Sequence, residues 1–427
     1  MTCAIVGEAL GLPLFLQTMR NYVDTHRSDQ GSTGILDALP ALTQISKVCT
    51  AAEIGLVLDR LQAELDSERQ RFNQWEAQAT HQRELIASAA LSSLQAIHDE
   101  LNRIELERFL VANSVTNLHH SCTHYRDLLA ERAVELVADA LSVEGRGTAP
   151  VPYALISMGS DGREEQTLIT DQDYLIVYGD GGGEVADAWF EEFGTRLVDY
   201  LEQAGFKRCT GDIMTSNPTW RGSFSQWRKR LFAIVRYEVE DFAKNMMDLI
   251  VLSDARYVAG DKPLGERFIE LVRDMEKEHF QVLWGMARAA TEMKLALGFM
   301  RRLWTEPSGE HKGEFNIKLL AWAPLVMNVR ILAISQGMAA TSTIHRIKLL
   351  EQEGSFSSAV AQGLLDAYEI LTRYRILLQI KVIKGIQKDS YHLDPLMLDH
   401  DERERIRQAV LRIEDLQKSI HTTFNIM

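Results

Sequence analysis

Between residues 51 and 115 apolar side chains recur at helical spacing. Leu58, Leu61, Leu65, Phe72 and Trp75 form one stripe, and Leu91, Leu94, Ile97, Leu101 and Ile104 a second, with charged residues between them. Positions three and four apart share a helix face, so each stripe predicts an amphipathic helix burying one side. No proline interrupts the run, which reads as one long helix or a helical hairpin. Pairing of two copies through a coiled coil fits this pattern as well as packing within the chain does. A further helix is expected over 125–142, ending at Gly145, Gly147, Pro150 and Pro152, a natural domain boundary.

The period then changes. An apolar run at 154–157 breaks into a turn carrying Gly159, Ser160 and Gly162, and a second apolar run, 174–178, follows two aspartates. That order predicts strand, turn, polar segment, strand. Val185, Trp189, Phe193, Leu197 and Leu201 then line one face of a helix that Gly205 stops. Residues 206–218 read as a strand beside the one that follows Asp173. Past Pro263 the pattern is helical to the end, over 271–298, 317–336, 343–352, 358–385 and 401–424, with a polar loop at 306–314. Short loops between consecutive helices imply antiparallel neighbours in a bundle. The first 50 residues, with apolar patches separated by Gly31, Gly34 and Pro40, predict no defined element.

Composition narrows the class. A chain of 427 residues is too long for one ordinary core, and 46% hydrophobic with 25% charged residues is globular. Three regions are expected: 1–145 helical, 146–265 with the strands, and 266–427 a helical bundle. Lys and Arg number 46 against 60 acids, a net charge of -14, which argues against sequence-independent binding of nucleic acid. Cys3, Cys49, Cys122 and Cys209 are scattered without metal or redox spacing and read as reduced thiols of a cytoplasmic protein. The apolar patch at 9–16 is broken by Pro13 and lacks a basic lead-in. No run is read as long enough to span a membrane, and no membrane partner is expected.

The chemistry concentrates in 153–178. Strand side chains alternate faces, so Asp171 and Asp173 point the same way, with Gln172 opposed. Two such carboxylates make half of a divalent-metal site, because Mg²⁺ usually takes one or two protein carboxylates plus the phosphates of its substrate. Gly159 lets backbone N–H groups approach phosphate oxygens, and Ser160 adds a hydroxyl donor. By contrast, His119, His120 and His124 near Cys122 make a poor zinc site. On a helix His120 and His124 share a face that His119 and Cys122 do not complete.

The string Gly159-Ser160-x-Gly162-Arg163-x-Glu165-Gln166, with Glu164 the alternative to Glu165, then Thr170-Asp171-Gln172-Asp173, resembles bacterial nucleotidyltransferases related to the protein-PII uridylyltransferases and the glutamine synthetase adenylyltransferases, within the polymerase-beta-like superfamily. The resemblance implies an α+β fold: a polymerase-beta-like nucleotidyltransferase domain, a small mixed sheet with flanking helices, between an N-terminal helical region and a C-terminal helical bundle. It implies nucleotide contacts from Gly159, Ser160, Arg163, Gln166 and Thr170, and metal ligation by Asp171 and Asp173. Such transferases take a third carboxylate from a neighbouring strand. Asp212 is the candidate here and Asp254 the runner-up. Trp220, Arg221 and Trp227 also fall on the family pattern. Arg221 is a phosphate-contact candidate, against the plainer reading of an amphipathic helix anchored by tryptophans with Arg228, Lys229 and Arg230 on its wet side.

Beyond residue 266 the chain resembles the family's substrate-binding domain, at positions that include Gly298, Lys318, Pro324, Arg330, Thr343, Arg346, Tyr368, Arg375, Gln379, Asp394, Pro395 and Gln417. Lys318, Arg346 and Arg375 are candidates to face substrate. The implied activity is Mg²⁺-dependent transfer, with Mn²⁺ able to substitute, of a nucleoside monophosphate from a nucleoside triphosphate to a protein or small-molecule hydroxyl. UMP and a PII-like regulator lead, with AMP the other choice. The alternative is a catalytically idle nucleotide-binding signalling scaffold that forms a homodimer through its N-terminal helices. A third carboxylate near Asp171 and Asp173 separates the two.

Overall fold

The computed structural model describes residues 51–236, 238 and 242–426, with the side chains of 51–62, 64 and 242–245 outside the description. Readings on residues 1–50, Cys3 and Cys49 included, and on the side chains of Leu58 and Leu61 lie outside the described residues.

The N-terminal stripes form a helical hairpin, α1 (Ala51–Ile86) and α2 (Leu91–Ala112), followed by α3 (Val115–Val143). Leu94, Ile97, Leu101 and Ile104 are buried as their spacing requires, whereas Leu65 is exposed. Asn113 ends α2 with a left-handed backbone, φ 53°, and the Ser114 hydroxyl caps α3 by accepting from Asn117 N.

A four-stranded mixed sheet follows: β1 (Tyr153–Ser157), β2 (Tyr174–Tyr178), β3 (Arg221–Ser223) and β4 (Arg256–Gly260), in the order β3-β2-β1-β4. β1 is antiparallel to β2, with Ser157 opposite Tyr174, and to β4; β2 and β3 are parallel. All five residues of β2 are buried, because α4 (Gly183–Gln203) brings Trp189, Phe190, Phe193 and Leu197 onto the sheet. The expected strand over 206–218 reduces to a single bridge, Asp171 to Lys207, after which the chain turns. The strand at the sheet's edge is β3 instead. It leads directly into α5 (Phe224–Val235), where Ser223 and Gln226 form a capping box.

After α6 (Phe242–Leu252) and β4, the expected helix over 271–298 is two helices, α7 (Lys262–Glu278) and α8 (Phe280–Thr291), broken at extended His279. Neither glycine nor proline marks the break, so packing sets it. The bundle continues through α9 (Ala323–Ser335), preceded by a π-helical turn Lys318–Trp322, then α10 (Thr343–Gln352), α11 (Ser358–Ile383) and α12 (His400–Thr423). The stretch Lys318–Ser335 is long and apolar enough to cross a membrane, contrary to the sequence reading, but most of it is buried within the bundle, as a core helix is. A two-stranded sheet that the periodicity does not announce, β5 (Phe315–Asn316) with β6 (His392–Leu393), closes one edge of the bundle. The linker at Gly145 to Pro152 does not isolate the regions it joins. Buried α3 side chains reach the strand-turn motif and α11.

Candidate active site

The Gly-Ser turn is shaped by two close approaches. Gly159 has a φ of +58°, and a Cβ there would lie 2.5 Å from Asp173 Oδ2. At Gly162 a Cβ would lie 2.0 Å from the backbone oxygen of Asp254. Only glycine fits at either point. Met158 N donates to Asp173 O at 2.8 Å, extending the β1–β2 ladder past its last paired strand residues. On the opposite face Gln172 Nε2 donates to Val198 O in α4, as strand alternation requires.

Asp173 therefore sits against the turn with little solvent. Burial, with the charges of Asp171 and Asp161 adding to it, pushes its carboxyl up to about 6, although the Cys209 thiol donates to it. Among the described residues neither Asp171 nor Asp173 has a partner in an ion pair; no Lys or Arg lies within 4.0 Å of either carboxylate. Burial and Asp173 in turn push the Cys209 thiol up to about 12, so it serves as a donor and not as a nucleophile.

Lys318 of the C-terminal region interacts electrostatically with both acids, and Arg375 acts on Lys318 in turn. Lys318 lies with its ammonium 4.9 Å from the Tyr391 ring centroid, and Arg375 stacks on Trp322 at 3.9 Å. Burial lowers the Lys318 pKa, with Arg375 acting the same way, while Asp171 and Asp173 act against them. Burial brings Arg375 down to about 10. Neither cation has a carboxylate partner among the described residues. Asp171, Asp173, Lys318 and Arg375 are each half-buried and have no ion-pair partner among the described residues.

The other predicted residues occupy different roles. Arg163 is buried, donating from Nε to Glu165 Oε2 at 2.8 Å and from Nη1 to Asp254 Oδ2 at 2.5 Å. Asp254 also receives Arg330 and Arg346, so the runner-up third acid is fully paired. Glu165 Oε1 accepts Thr343 N at 2.6 Å, which ties the motif to α10. Gln166 Oε1 accepts from Arg126, and its carbonyl takes His119 Nδ1, whose Nε2 meets the Tyr368 hydroxyl. His119 is thus a hydrogen-bonded rivet between α3, the motif and α11. The Thr170 hydroxyl donates to Asp171 O, and Arg221 donates to the Thr215 and Ser216 carbonyls from a buried position. Asp212 is exposed in a left-handed turn, φ 57°, and its carboxylate accepts from Asn217.

Sequence reasoning missed Asp161, Cys209, Trp322 and Tyr391. Asp161 lies inside the Gly-Ser-x-Gly string, and its position was the available signal. Its Oδ1 accepts Arg256, which also grips Asp127 with both ends of its guanidinium, and it sits beside the buried Tyr174 hydroxyl. The other three come from distant segments and carry no motif.

Comparison with known families agrees with this architecture. Residues 100–241 match the family described as "Putative nucleotidyltransferase DUF294", and residues 280–424 match the "Putative nucleotidyltransferase substrate binding domain". The chain belongs to this nucleotidyltransferase family. Lys318 and Arg375 therefore come from its substrate-binding domain, and Asp171 and Asp173 from its nucleotidyltransferase domain. Two relatives are described as bifunctional glutamine synthetase adenylyltransferase/adenylyl-removing enzymes. The one from Bifidobacterium longum is 24% identical over 44% of this chain, and the one from Cutibacterium acnes 25% identical over 57%. The matches span 18% and 25% of those longer proteins.

Proposed function

We propose that this protein transfers a nucleoside monophosphate from a nucleoside triphosphate to a hydroxyl group, with Asp171 and Asp173 holding a divalent metal. The observation that carries the reading is the acid couple without an ion-pair partner against the Gly159-Ser160 turn, with Lys318 interacting with both acids and with Arg375. The acids fit a hard cation: they are carboxylate oxygens, one of them destabilised as a charge by burial and lacking a basic partner. Mg²⁺ or Mn²⁺, when bound, would offset phosphate charge and favour attack by the acceptor hydroxyl. The chain's own residues supply the rest. Gly159 leaves room beside Asp173, Ser160 offers a hydroxyl donor, and Lys318 and Arg375 offset negative charge on the polyphosphate. The acceptor oxygen bonds to the α-phosphorus as the α–β phosphoanhydride bond breaks and pyrophosphate leaves, and the rate comes from positioning and charge neutralisation.

The names of the two relatives favour AMP over UMP as the group moved, and a protein as acceptor. The purified chain with Mg²⁺, each labelled nucleoside triphosphate in turn, and either cell extract, glutamine synthetase or a PII-like regulator tests this. Label from ATP on a protein, absent with Asp173→Asn, is the expected result. No label from any nucleotide, with every acceptor, overturns transfer.

One observation favours the second reading, a nucleotide-binding scaffold without turnover. Among the described residues Asp254 is held by three arginines, Asp212 is turned to solvent, and Asp161 gives one oxygen to Arg256, so none of these three candidates is a wholly unpaired carboxylate. Nucleotide binding that depends on Asp173, without transfer, identifies that case.

A further inference from the structure

At the closed edge of the C-terminal bundle the structure gathers a second group of metal-ligating side chains, unrelated to the acid pair. His311 lies in the polar loop before β5, and His392 is in β6, opposite Asn316. Their rings stack with centroids 3.5 Å apart and planes within 6°. One nitrogen from each ring and one oxygen of Asp389 all lie within 4.8 Å of one another. The loop is held in shape by hydrogen bonds from Glu306 N to Glu314 O and from Gly313 N to Glu306 O.

We infer that His311, His392 and Asp389 form a binding site for a borderline divalent transition metal, zinc above all. Two imidazoles and one carboxylate are a zinc donor set, and a tetrahedral ion with ligands at about 2.0–2.2 Å would draw these atoms together and turn the stacked rings out of parallel. Magnesium, which prefers an all-oxygen shell, does not suit it. The supporting contacts are those a metal site needs. Glu314 Oε2 meets His311 Nδ1 at 2.8 Å and fixes that ring, while the contact of Asp389 with His392 Nδ1 is between two of the ligands and shows them already adjacent. Asp389 is itself held, accepting Tyr391 N and His392 N at 3.0 Å each, while Gln387 Nε2 donates to its carbonyl. All three ligands are half-buried, which leaves the ion an entry path. Bound zinc would tether the loop to β6 and to Tyr391, whose ring supports Lys318.

The test uses the full chain, stripped with a chelator and titrated calorimetrically with Zn²⁺ in a large excess of Mg²⁺. Expected is one Zn²⁺ per chain, with affinity reduced at least about tenfold in His311→Ala and in His392→Ala and kept in the double variant Asp171→Asn, Asp173→Asn. His311 is in a loop, so its variant should keep the far-ultraviolet circular dichroism of the parent even if the His392 variant does not. Co²⁺ in place of Zn²⁺ should give visible bands of a tetrahedral site that vanish in His311→Ala. No saturable Zn²⁺ binding, or binding unchanged in His311→Ala, overturns the inference.

Discussion

Asp254 and Asp173 are the same residue type, both withdrawn from water in one domain, and their fates are opposite. Asp254 is surrounded by Arg163, Arg330 and Arg346; their charges overcome burial and hold its carboxyl below the ordinary range. Asp173 has a thiol donor and two like-charged neighbours, and its carboxyl is pushed up to about 6. A buried acid given partners joins elements: here the motif, β4, α9 and α10 meet at one carboxylate. A buried acid left without them stores an electrostatic cost that an incoming cation can relieve. The strain of an unpaired charge is thus the mark that separates the candidate catalytic acid from the structural one.

The largest effect should come at the hub. Asp254→Asn leaves buried guanidinium groups short of a counter-charge and should lower unfolding stability by about 3–5 kcal/mol in chemical denaturation. Asp173→Asn should do the reverse to stability, raising it by on the order of 1–3 kcal/mol in the metal-free protein well above pH 6, because it removes an unpaired buried charge. The same variant should lower transfer activity by at least about 10²–10³-fold. A destabilised Asp173→Asn, or a stable Asp254→Asn, would erase the distinction between the two acids.

The pH dependence sharpens the contrast. Asp173 has a folded pKa of about 6, raised from 3.8, so between these values the folded state binds more protons than the unfolded one. Its contribution to stability therefore falls as pH rises through that window, and metal affinity should weaken about tenfold per pH unit below about 6, measured by Mg²⁺ titration. Asp254, with a depressed pKa, contributes stability above its unfolded value and loses it only in stronger acid. Arg375→Met keeps a stem on Trp322 without the charge and should raise KM for the triphosphate on the order of tenfold, equivalent to about 1.4 kcal/mol. Asp212→Asn should be nearly silent, within about 0.5 kcal/mol in stability, since this exposed residue serves a turn.

Much of this was legible along the chain. Alternation predicted Asp171 and Asp173 on one face with Gln172 opposed, and glycine at 159 and 162 announced a turn; the structure has Asp173 against Gly159 and Gln172 bonded to α4. The helical stripes of α2 and α4 were equally plain, because a helix or strand that buries one face must write its period into local sequence. The third acid was not legible. Asp212 and Asp254 both stood at plausible spacings, and only the fold shows one turned to Asn217 and the other enclosed by arginines from three segments.

The break at His279 and the β5–β6 pair had no local signal at all. Arg163, Gln166 and Arg221 looked like ligand contacts because basic and amide groups in a motif serve substrate and scaffold alike; which they serve depends on acceptors far away in the chain. By itself, then, the amino-acid order determined the repeating elements, the motif turn and the paired aspartates, all set by neighbours within a few residues. Tertiary structure alone decided which charges find partners, since a carboxylate's protonation depends on the groups that surround it in space, and these come from distant positions, as Lys318 does for Asp171 and Asp173.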